Sequence, residues 1–141
     1  MELAEVAAKR SHDAETKVGG ILVRNDTGAV IATAFNGFLR KANDNNLPNK
    51  RPEKYKYIQH CELNLVAHCA MHGISTLNTT LYCTLTPCVK CTRMLWQCGV
   101  HTVVAKTAYT DFYSEVITMQ DMKLIYHANE HGFLEISYEA L

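Results

Sequence analysis

The sequence predicts an α/β fold with a partly parallel sheet that is covered by helices on both faces. The pattern is one helix, one hairpin and then three helix–strand units, and strands that alternate with helices are typical of such sheets. The chain has 141 residues and is 48% hydrophobic, which is enough to bury a real core. No repeat or linker interrupts it, so we expect a single domain over residues 1–141.

The first half of the chain is predicted to form a helix over 2–11, a hairpin of 18–24 with 29–35, and a polar irregular segment over 36–59. Leu3 and Val6 lie on adjoining turns of the helix. A turn signal over residues 25–28 separates the two β-type runs. Pro48 and Pro52 argue against a regular element in the polar segment, and a loop of this length is usually functional or mobile.

The second half is predicted to contain helices over 61–72, 87–98 and 114–130, and strands over 79–84, around 103–105 and over 133–138. Apolar residues in the first of these helices recur at helical spacing. Gly73, Gly99 and Gly132 stand where the three helices should end, as glycine commonly does. Pro87 is allowed in the first turn of a helix, where the backbone N–H has no partner to lose.

Two short motifs supply the residues of a metal site. His60 and Glu62 form H-x-E, and Pro87, Cys88 and Cys91 form P-C-x-x-C. A catalytic zinc site keeps three protein ligands and leaves a fourth position for water, whereas a structural site is usually closed by four. Two cysteines three apart at a helix start share one face, and the helix N-terminus favours their thiolates.

The combined pattern is the signature of zinc-dependent nucleobase deaminases. We therefore expect Zn²⁺ to be held by His60, Cys88 and Cys91, and Glu62 to move the protons while water replaces the amino group of a cytosine ring. Backbone N–H groups near Cys61 and Cys88 are expected to bind the base carbonyl or the developing charge. The alternative is a structural zinc knuckle, which would have no use for the glutamate, or no metal at all.

Several segments resemble the deoxycytidylate (dCMP) deaminase family. Ala8 to Gly20 is similar to the family's opening, R-S-x-D-P-x-T-x-V-G-A, and Ala34-Phe35-Asn36-Gly37 resembles its G-Y-N-G segment. The polar segment through Lys54 to His60 and the run Ala108 to Asp111 also match, so the resemblance extends from about residue 4 to the C-terminus. Ala14, Ala34 and Leu39 stand where that pattern has proline, glycine and proline, and the glycine belongs to a segment linked to effector binding.

This resemblance implies a three-layer αβα arrangement, cytidine deaminase-like, with a five-stranded mixed sheet of order 2-1-3-4-5. It implies conversion of dCMP to dUMP, a step that feeds thymidylate synthesis, at a site between the two zinc-bearing helices. It also implies a homohexamer that is activated by dCTP with Mg²⁺ and inhibited by dTTP. The residues that it places at the substrate are Asn36 at the deoxyribose, Arg10, Ser11 and Tyr57 near nucleotide phosphate, and Tyr109 at the base or sugar.

Charge and cysteine content bear on partners and location. Fourteen basic and fourteen acidic residues cancel, which favours a small-molecule nucleotide over nucleic acid as the substrate. No signal peptide or membrane span is visible, so no membrane partner is expected. Six cysteines without a secretory signal indicate a reducing compartment, hence the cytoplasm, or the host cytoplasm for a viral protein.

Three alternative functions remain open at this point. A dual dCMP/dCTP deaminase is compatible with the motifs, because loop changes decide how much phosphate fits. A polynucleotide deaminase, acting on an adenosine in tRNA or a cytidine in single-stranded DNA, would use the same zinc chemistry. A catalytically silent subunit could keep zinc for stability and bind nucleotides, although Glu62 argues against it.

Overall fold

The computed structural model describes residues 1–108 and 122–140. Its helices are α1 (Glu2–Ala8), α2 (Cys61–His72) and α3 (Val89–Gln97). Its strands are β1 (Gly19–Arg24), β2 (Val30–Phe35), β3 (Gly37–Phe38), β4 (Ile58–Gln59), β5 (Thr79–Leu85), β6 (Val100–Thr107), β7 (Met122–Ala128) and β8 (Leu134–Ala140). Short 3₁₀ turns at Asp44–Asn46 and Glu53–Lys56 lie in the polar segment.

Within the described residues, the main sheet has six strands in the order β2-β1-β5-β6-β8-β7. The pair β5–β6 is parallel, as a helical crossover requires, and the other neighbouring pairs are antiparallel. The predicted α/β class and mixed sheet are confirmed. The five strands that were expected follow the order 2-1-3-4-5, and β7 is a sixth strand beyond them.

Two adjacent glycines in β1 show how helices cover both faces of the sheet. A Cβ atom on Gly19 would lie 2.0 Å from the carbonyl oxygen of Ala4 in α1. A Cβ atom on Gly20 would lie 2.9 Å from Sγ of Cys61 in α2. Because successive residues of a strand point to opposite faces, α1 and α2 lie on opposite sides of the sheet. Helix α3 packs beside α2 in that layer.

The core lies mainly between the sheet and the layer of α2 and α3. Leu65 of α2 and Leu95 of α3 are fully buried against Leu22, Leu81 and Ile136 of the strands. Both helices are therefore fixed against the sheet by a shared apolar contact, and their N-termini are held in place by it. Among the described helices, none is long and apolar enough to cross a bilayer.

The predicted helix over 114–130 is wrong in its second part; residues 114–121 lie outside the described residues. Residues 122–128 form β7, which pairs antiparallel with β8. The side-chain oxygen of Asn129 accepts the backbone N–H groups of His131 and Phe133, and Gly132 has φ +76°, so these residues make a hairpin turn. Gly132, which was interpreted as the end of a helix, thus belongs to this turn. The short apolar run in residues 122–128 fits both the helical and the strand period, and pairing with β8 makes it a strand.

Most other boundaries agree with the sequence. The hairpin β1–β2 and the helix over 61–72 are confirmed, and Gly73 ends α2 with φ +65°. Helix α1 ends at Ala8, so Arg10 lies beyond it, and α3 begins at Val89 with Cys88 as its N-cap, two residues after Pro87. The polar segment is irregular except for its turns and the short pair β3–β4.

Candidate active site

The predicted metal ligands meet at the N-termini of two neighbouring helices. His60 is the N-cap of α2 and Cys88 is the N-cap of α3, and both have extended backbone conformations. Nδ1 of His60 lies 3.6 Å from Sγ of Cys88 and 3.5 Å from Sγ of Cys91. Among the described residues, these three form the one His/Cys/Asp/Glu group whose ligand atoms all lie within 4.8 Å of one another.

The spacing of these atoms fits zinc. Tetrahedral zinc binds thiolate at about 2.3 Å and imidazole at about 2.0–2.1 Å, so neighbouring ligand atoms should be about 3.6 Å apart. The two distances from the histidine nitrogen match this value. A set of one imidazole and two thiolates is also a donor set that zinc prefers, and three protein ligands leave one tetrahedral position for water.

The three groups already shift one another's protonation. Hydrogen bonds from Cys91 and His60 lower the pKa of Cys88 to about 3, so its sulfur is a thiolate. The Cys91 thiol donates to that thiolate and is buried, which raises its own pKa. The hydrogen bond with Cys88 raises the pKa of His60. The cysteine pair therefore shares one proton, which a bound metal ion would displace.

Glu62 lies beside the ligand group without belonging to it. It is the second residue of α2 and is only 4% exposed. Burial raises the pKa of its carboxyl group, and Oε1 lies 4.0 Å from Sγ of Cys83 on the sheet below. A carboxyl group whose pKa is moved toward neutrality is suited to accept a proton and return it.

A cavity of about 160 Å³ opens onto this group. The residues that line it form two sets according to the elements that carry them. The first set, which we call the metal wall, is His60, Cys61, Glu62, Leu85, Thr86 and Cys88. The second set, the loop wall, is Asp13, Thr16, Asn36, Arg51, Lys54 and Tyr55, and Val18 and Ile58 also line the cavity. The metal wall comes from helix starts and the end of a strand, whereas the loop wall comes from two loops and the end of β2.

A buried ion pair joins the two loops of the loop wall. Nζ of Lys54 lies 2.9 Å from both carboxylate oxygens of Asp13, and the two side chains are 3% and 2% exposed. The hydrogen bonds of Asn49 to His12 and Ala14 connect the same two loops. The polar segment is thereby fastened across residues 12–16.

Asn36 lies in the cavity wall, but its amide is engaged within the protein. Oδ1 accepts the backbone N–H of Val18 at 2.8 Å. Nδ2 donates to the carbonyl of Thr16 at 2.9 Å and to Asp13 at 3.3 Å. Oδ1 keeps a second lone pair, and the predicted deoxyribose contact stays a prediction.

The other predicted substrate residues are distributed more widely. Cys61 lies in the cavity wall and its thiol donates to the carbonyl of Ala34 at 3.3 Å. Ser11 is buried and donates to the carbonyl of Asn36, which places it behind the wall. Arg10 lies 5.7 Å from the ring centre of Phe35, and Tyr57 lines a separate surface depression with Leu39 and Lys56. Tyr109 lies outside the described residues.

Sequence reasoning missed Asp13, Arg51 and Lys54. Asp13 and Lys54 are 41 positions apart, and no local spacing rule connects them. The available signal was the length of the polar segment, which indicated a functional loop but not which of its many charges would be buried.

Comparison with known families agrees with this geometry. A family described as "Cytidine and deoxycytidylate deaminase zinc-binding region" matches residues 1–107. The deoxycytidylate deaminase of Pongo abelii is 29% identical over 110 residues, which are 74% of this chain and 60% of the relative. The corresponding enzyme of Schizosaccharomyces pombe is 34% identical over 119 residues, 77% of this chain and 36% of the relative. The chain thus spans between about a third and two thirds of these relatives' lengths.

Solved structures share the fold. The dCMP deaminase from the cyanophage S-TIM5, in complex with dCMP and dUMP, has a TM-score of 0.67 at 27% identity and covers 82% of this chain and 85% of its own. A structure from a study of tRNA:A34 deaminases has a TM-score of 0.57 at 20% identity, covers 85% of this chain and 87% of its own, and shows a common fold alone.

Proposed function

Because this chain belongs to the family defined by the cytidine and deoxycytidylate deaminase zinc-binding region, we propose that it hydrolyses dCMP to dUMP and ammonia. The observation that carries this proposal is the group of His60, Cys88 and Cys91 with the buried Glu62 beside it in one cavity. The relatives named above act on deoxycytidylate, which supports the choice of substrate.

In the proposed reaction, the C4–N bond of the cytosine ring breaks and a C4–O bond forms. A zinc ion held by His60, Cys88 and Cys91 would lower the pKa of a water molecule toward neutrality and make it a nucleophile. Glu62 accepts a proton from the attacking water, donates a proton to the ring nitrogen N3, and delivers a proton to the departing amino group. Burial of Glu62 suits this role, since raising the pKa of the carboxyl group makes it a stronger base for the proton of the attacking water.

The remaining site residues take supporting roles in the proposal. The backbone N–H groups at the starts of α2 and α3 lack helical acceptors, and those near Cys61 and Cys88 are proposed to bind the base carbonyl. Asn36 lies on the same cavity and is proposed to contact the deoxyribose. Arg10, Ser11, Tyr57 and Tyr109 remain predicted substrate contacts.

The test is deamination of dCMP, dCTP and deoxycytidine in parallel, with separation of the uracil products by chromatography. Glu62→Gln removes the proton carrier and keeps the side-chain shape, so turnover should fall by about 10²- to 10⁴-fold while zinc stays bound. The matched control is Glu53→Gln, an exposed residue of the polar segment outside the cavity, which should leave turnover unchanged. If zinc is bound and none of the three compounds reacts, the proposal is wrong.

The regulatory features implied by the resemblance form a finer part of the proposal. We infer a homohexamer in the cytoplasm that responds to dCTP, with Mg²⁺, and to dTTP. Ala34, which replaces a glycine of the effector-linked segment, is buried in β2 and its carbonyl accepts the Cys61 thiol, so that segment lies directly behind the metal wall. Light scattering and dCMP turnover with each triphosphate test these points; a monomer without effector response would contradict them.

A further inference from the structure

Arg51 is the cation of the loop wall that still has donors to offer. Nε donates to the hydroxyl of Tyr55 at 2.7 Å, Nη2 to the hydroxyl of Thr16 at 2.7 Å, and Nη1 to Glu15 at 3.2 Å. A guanidinium has five N–H groups, so two have no acceptor among the described residues. The side chain is 46% exposed and lines the cavity, so these hydrogens can meet a ligand.

The two hydroxyl groups held by Arg51 are also donors. Thr16 and Tyr55 each use an oxygen lone pair to accept from the guanidinium, which leaves the hydroxyl hydrogen of each to be donated. Both residues line the same cavity as Arg51. The three side chains therefore present donor hydrogens around one positive charge, which is what a phosphate group requires.

Lys54, the other cation of the loop wall, does not present free donor hydrogens to a ligand. Its ammonium group donates to both oxygens of Asp13 and lies 3.4 Å from Glu15. Its side chain is 3% exposed, so an incoming anion would have to displace a buried carboxylate. Lys54 thus holds the two loops of the loop wall together, whereas Arg51 remains available to a ligand.

Glu15 places a negative charge beside the two cations of the loop wall. Its carboxylate accepts the backbone N–H and Nη1 of Arg51, at 2.7 and 3.2 Å. The charges of Arg51 and Lys54 are thereby balanced by Asp13 on the loop wall and by Glu15, which lies beside Arg51 and outside the cavity lining. One phosphate would bring a charge that the guanidinium can bind directly, while further phosphates would approach the partly exposed Glu15 carboxylate.

We propose that Arg51, Thr16 and Tyr55 bind the 5′-phosphate of the substrate, and that Glu15 restricts the enzyme to nucleoside monophosphates. This inference rests on the proposed deaminase function and names the substrate class of that site. With the metal wall and the loop wall on one cavity, a nucleotide would place its base at Glu62 and its phosphate at Arg51.

The experiment compares kcat/KM for dCMP and for deoxycytidine, which differ only in the phosphate. Arg51→Gln should lower kcat/KM for dCMP by about 10- to 100-fold, mainly through KM, and leave deoxycytidine within about threefold. Tyr55→Phe removes a single donor and should lower the dCMP value alone by about 3- to 10-fold. The matched control is Lys50→Gln, which removes an exposed neighbouring charge outside the cavity.

A second variant tests the restriction to monophosphates. Glu15→Gln should raise kcat/KM for dCTP relative to dCMP by about tenfold, because it removes the negative charge that the extra phosphates would meet. An unchanged ratio would overturn the role of Glu15. Equal losses on dCMP and deoxycytidine in both Arg51→Gln and Tyr55→Phe would overturn the phosphate site, since those side chains would then only support the wall.

Calorimetric binding of dUMP and deoxyuridine separates this inference from the proposed reaction. If the wild-type protein with bound zinc deaminates nothing, the proposed function fails, but a preference for dUMP that Arg51→Gln abolishes would still support the phosphate site. Equal binding of dUMP and deoxyuridine by the wild-type protein would overturn the site whatever the turnover. Thermal unfolding of each variant shows that the fold is kept.

Discussion

The metal wall and the loop wall line one cavity, yet they are held in place by different interactions. His60 and Cys88 are fixed by the helices that they begin, and those helices are fixed by apolar packing on the sheet. The loop wall has no α-helix and only the short 3₁₀ turn at Glu53–Lys56, and its shape depends on the buried pair of Asp13 and Lys54 and on the bonds of Arg51. The proposed chemistry thus lies on the wall that packed helices hold, and the proposed discrimination between substrates lies on the wall that charges hold together.

The largest effect should come from breaking the metal wall. Cys91→Ser replaces a soft sulfur ligand by a hydroxyl, so we expect zinc affinity to fall by more than about 100-fold and deamination to be lost. Zinc per chain, measured by plasma mass spectrometry, checks this. Cys98→Ser is the matched control, because Cys98 follows the same helix without belonging to the ligand group, and it should keep its zinc. Full zinc content in Cys91→Ser would contradict the assignment.

Removing the buried ion pair of the loop wall should lower the stability of the fold and leave zinc binding unchanged. Lys54→Met leaves the Asp13 carboxylate buried without its partner, which should lower the free energy of unfolding by about 3–5 kcal/mol. Urea unfolding followed by circular dichroism measures it, and zinc content should stay normal. Lys56→Met, an exposed change two residues away, should cost far less. If the two variants are equally stable, the buried pair does not hold the wall.

The smallest expected effect is a change in how the free energy of unfolding depends on pH, which again tests the buried ion pair of the loop wall. Burial raises the pKa of Asp13, but hydrogen bonds from the Thr16 amide and from Lys54 outweigh it, so the net pKa lies below the ordinary 3.8. A group with a lowered folded pKa stabilises fully above its unfolded pKa and loses that contribution as pH falls through the folded value. Stability of the wild-type protein should therefore decline below about pH 4, and Asp13→Asn should flatten this decline.

The control for that measurement is Asp26→Asn. Asp26 also has a lowered pKa, through a hydrogen bond from Arg24, but this pair is exposed and should contribute little to stability. The slope of unfolding free energy against pH should thus change more in Asp13→Asn than in Asp26→Asn. Equal slopes in the two variants would mean that the buried pair of Asp13 and Lys54 contributes no more to the pH dependence than the exposed pair of Asp26 and Arg24, which would contradict the prediction.

How much the sequence predicts differs between the two walls for a physical reason. The ligands sit at fixed spacings around helix starts, and Cys88 and Cys91 share a face because of the helical period, so their meeting could be predicted. Lys54 lies 41 residues from Asp13, and Glu15 and Thr16 lie 36 and 35 residues from Arg51, so no helical or strand period relates these partners. The strand over 122–128 was missed for a similar reason, because its state depends on pairing with β8 and its short apolar run fits either period. The prediction that residues 1–141 form one domain stays a prediction.

Gly20 and Cys61 share one small space behind the metal wall. The family pattern that residues 8–20 resemble has alanine where this chain has Gly20, and an alanine Cβ there would lie 2.9 Å from the sulfur of Cys61. Gly20→Ala would force that sulfur out of its present position, so we expect it to cost less stability in a Cys61→Ala background than in the wild-type protein. A lineage that acquires both substitutions would meet the smaller loss of stability when alanine comes first at position 61 and then at position 20.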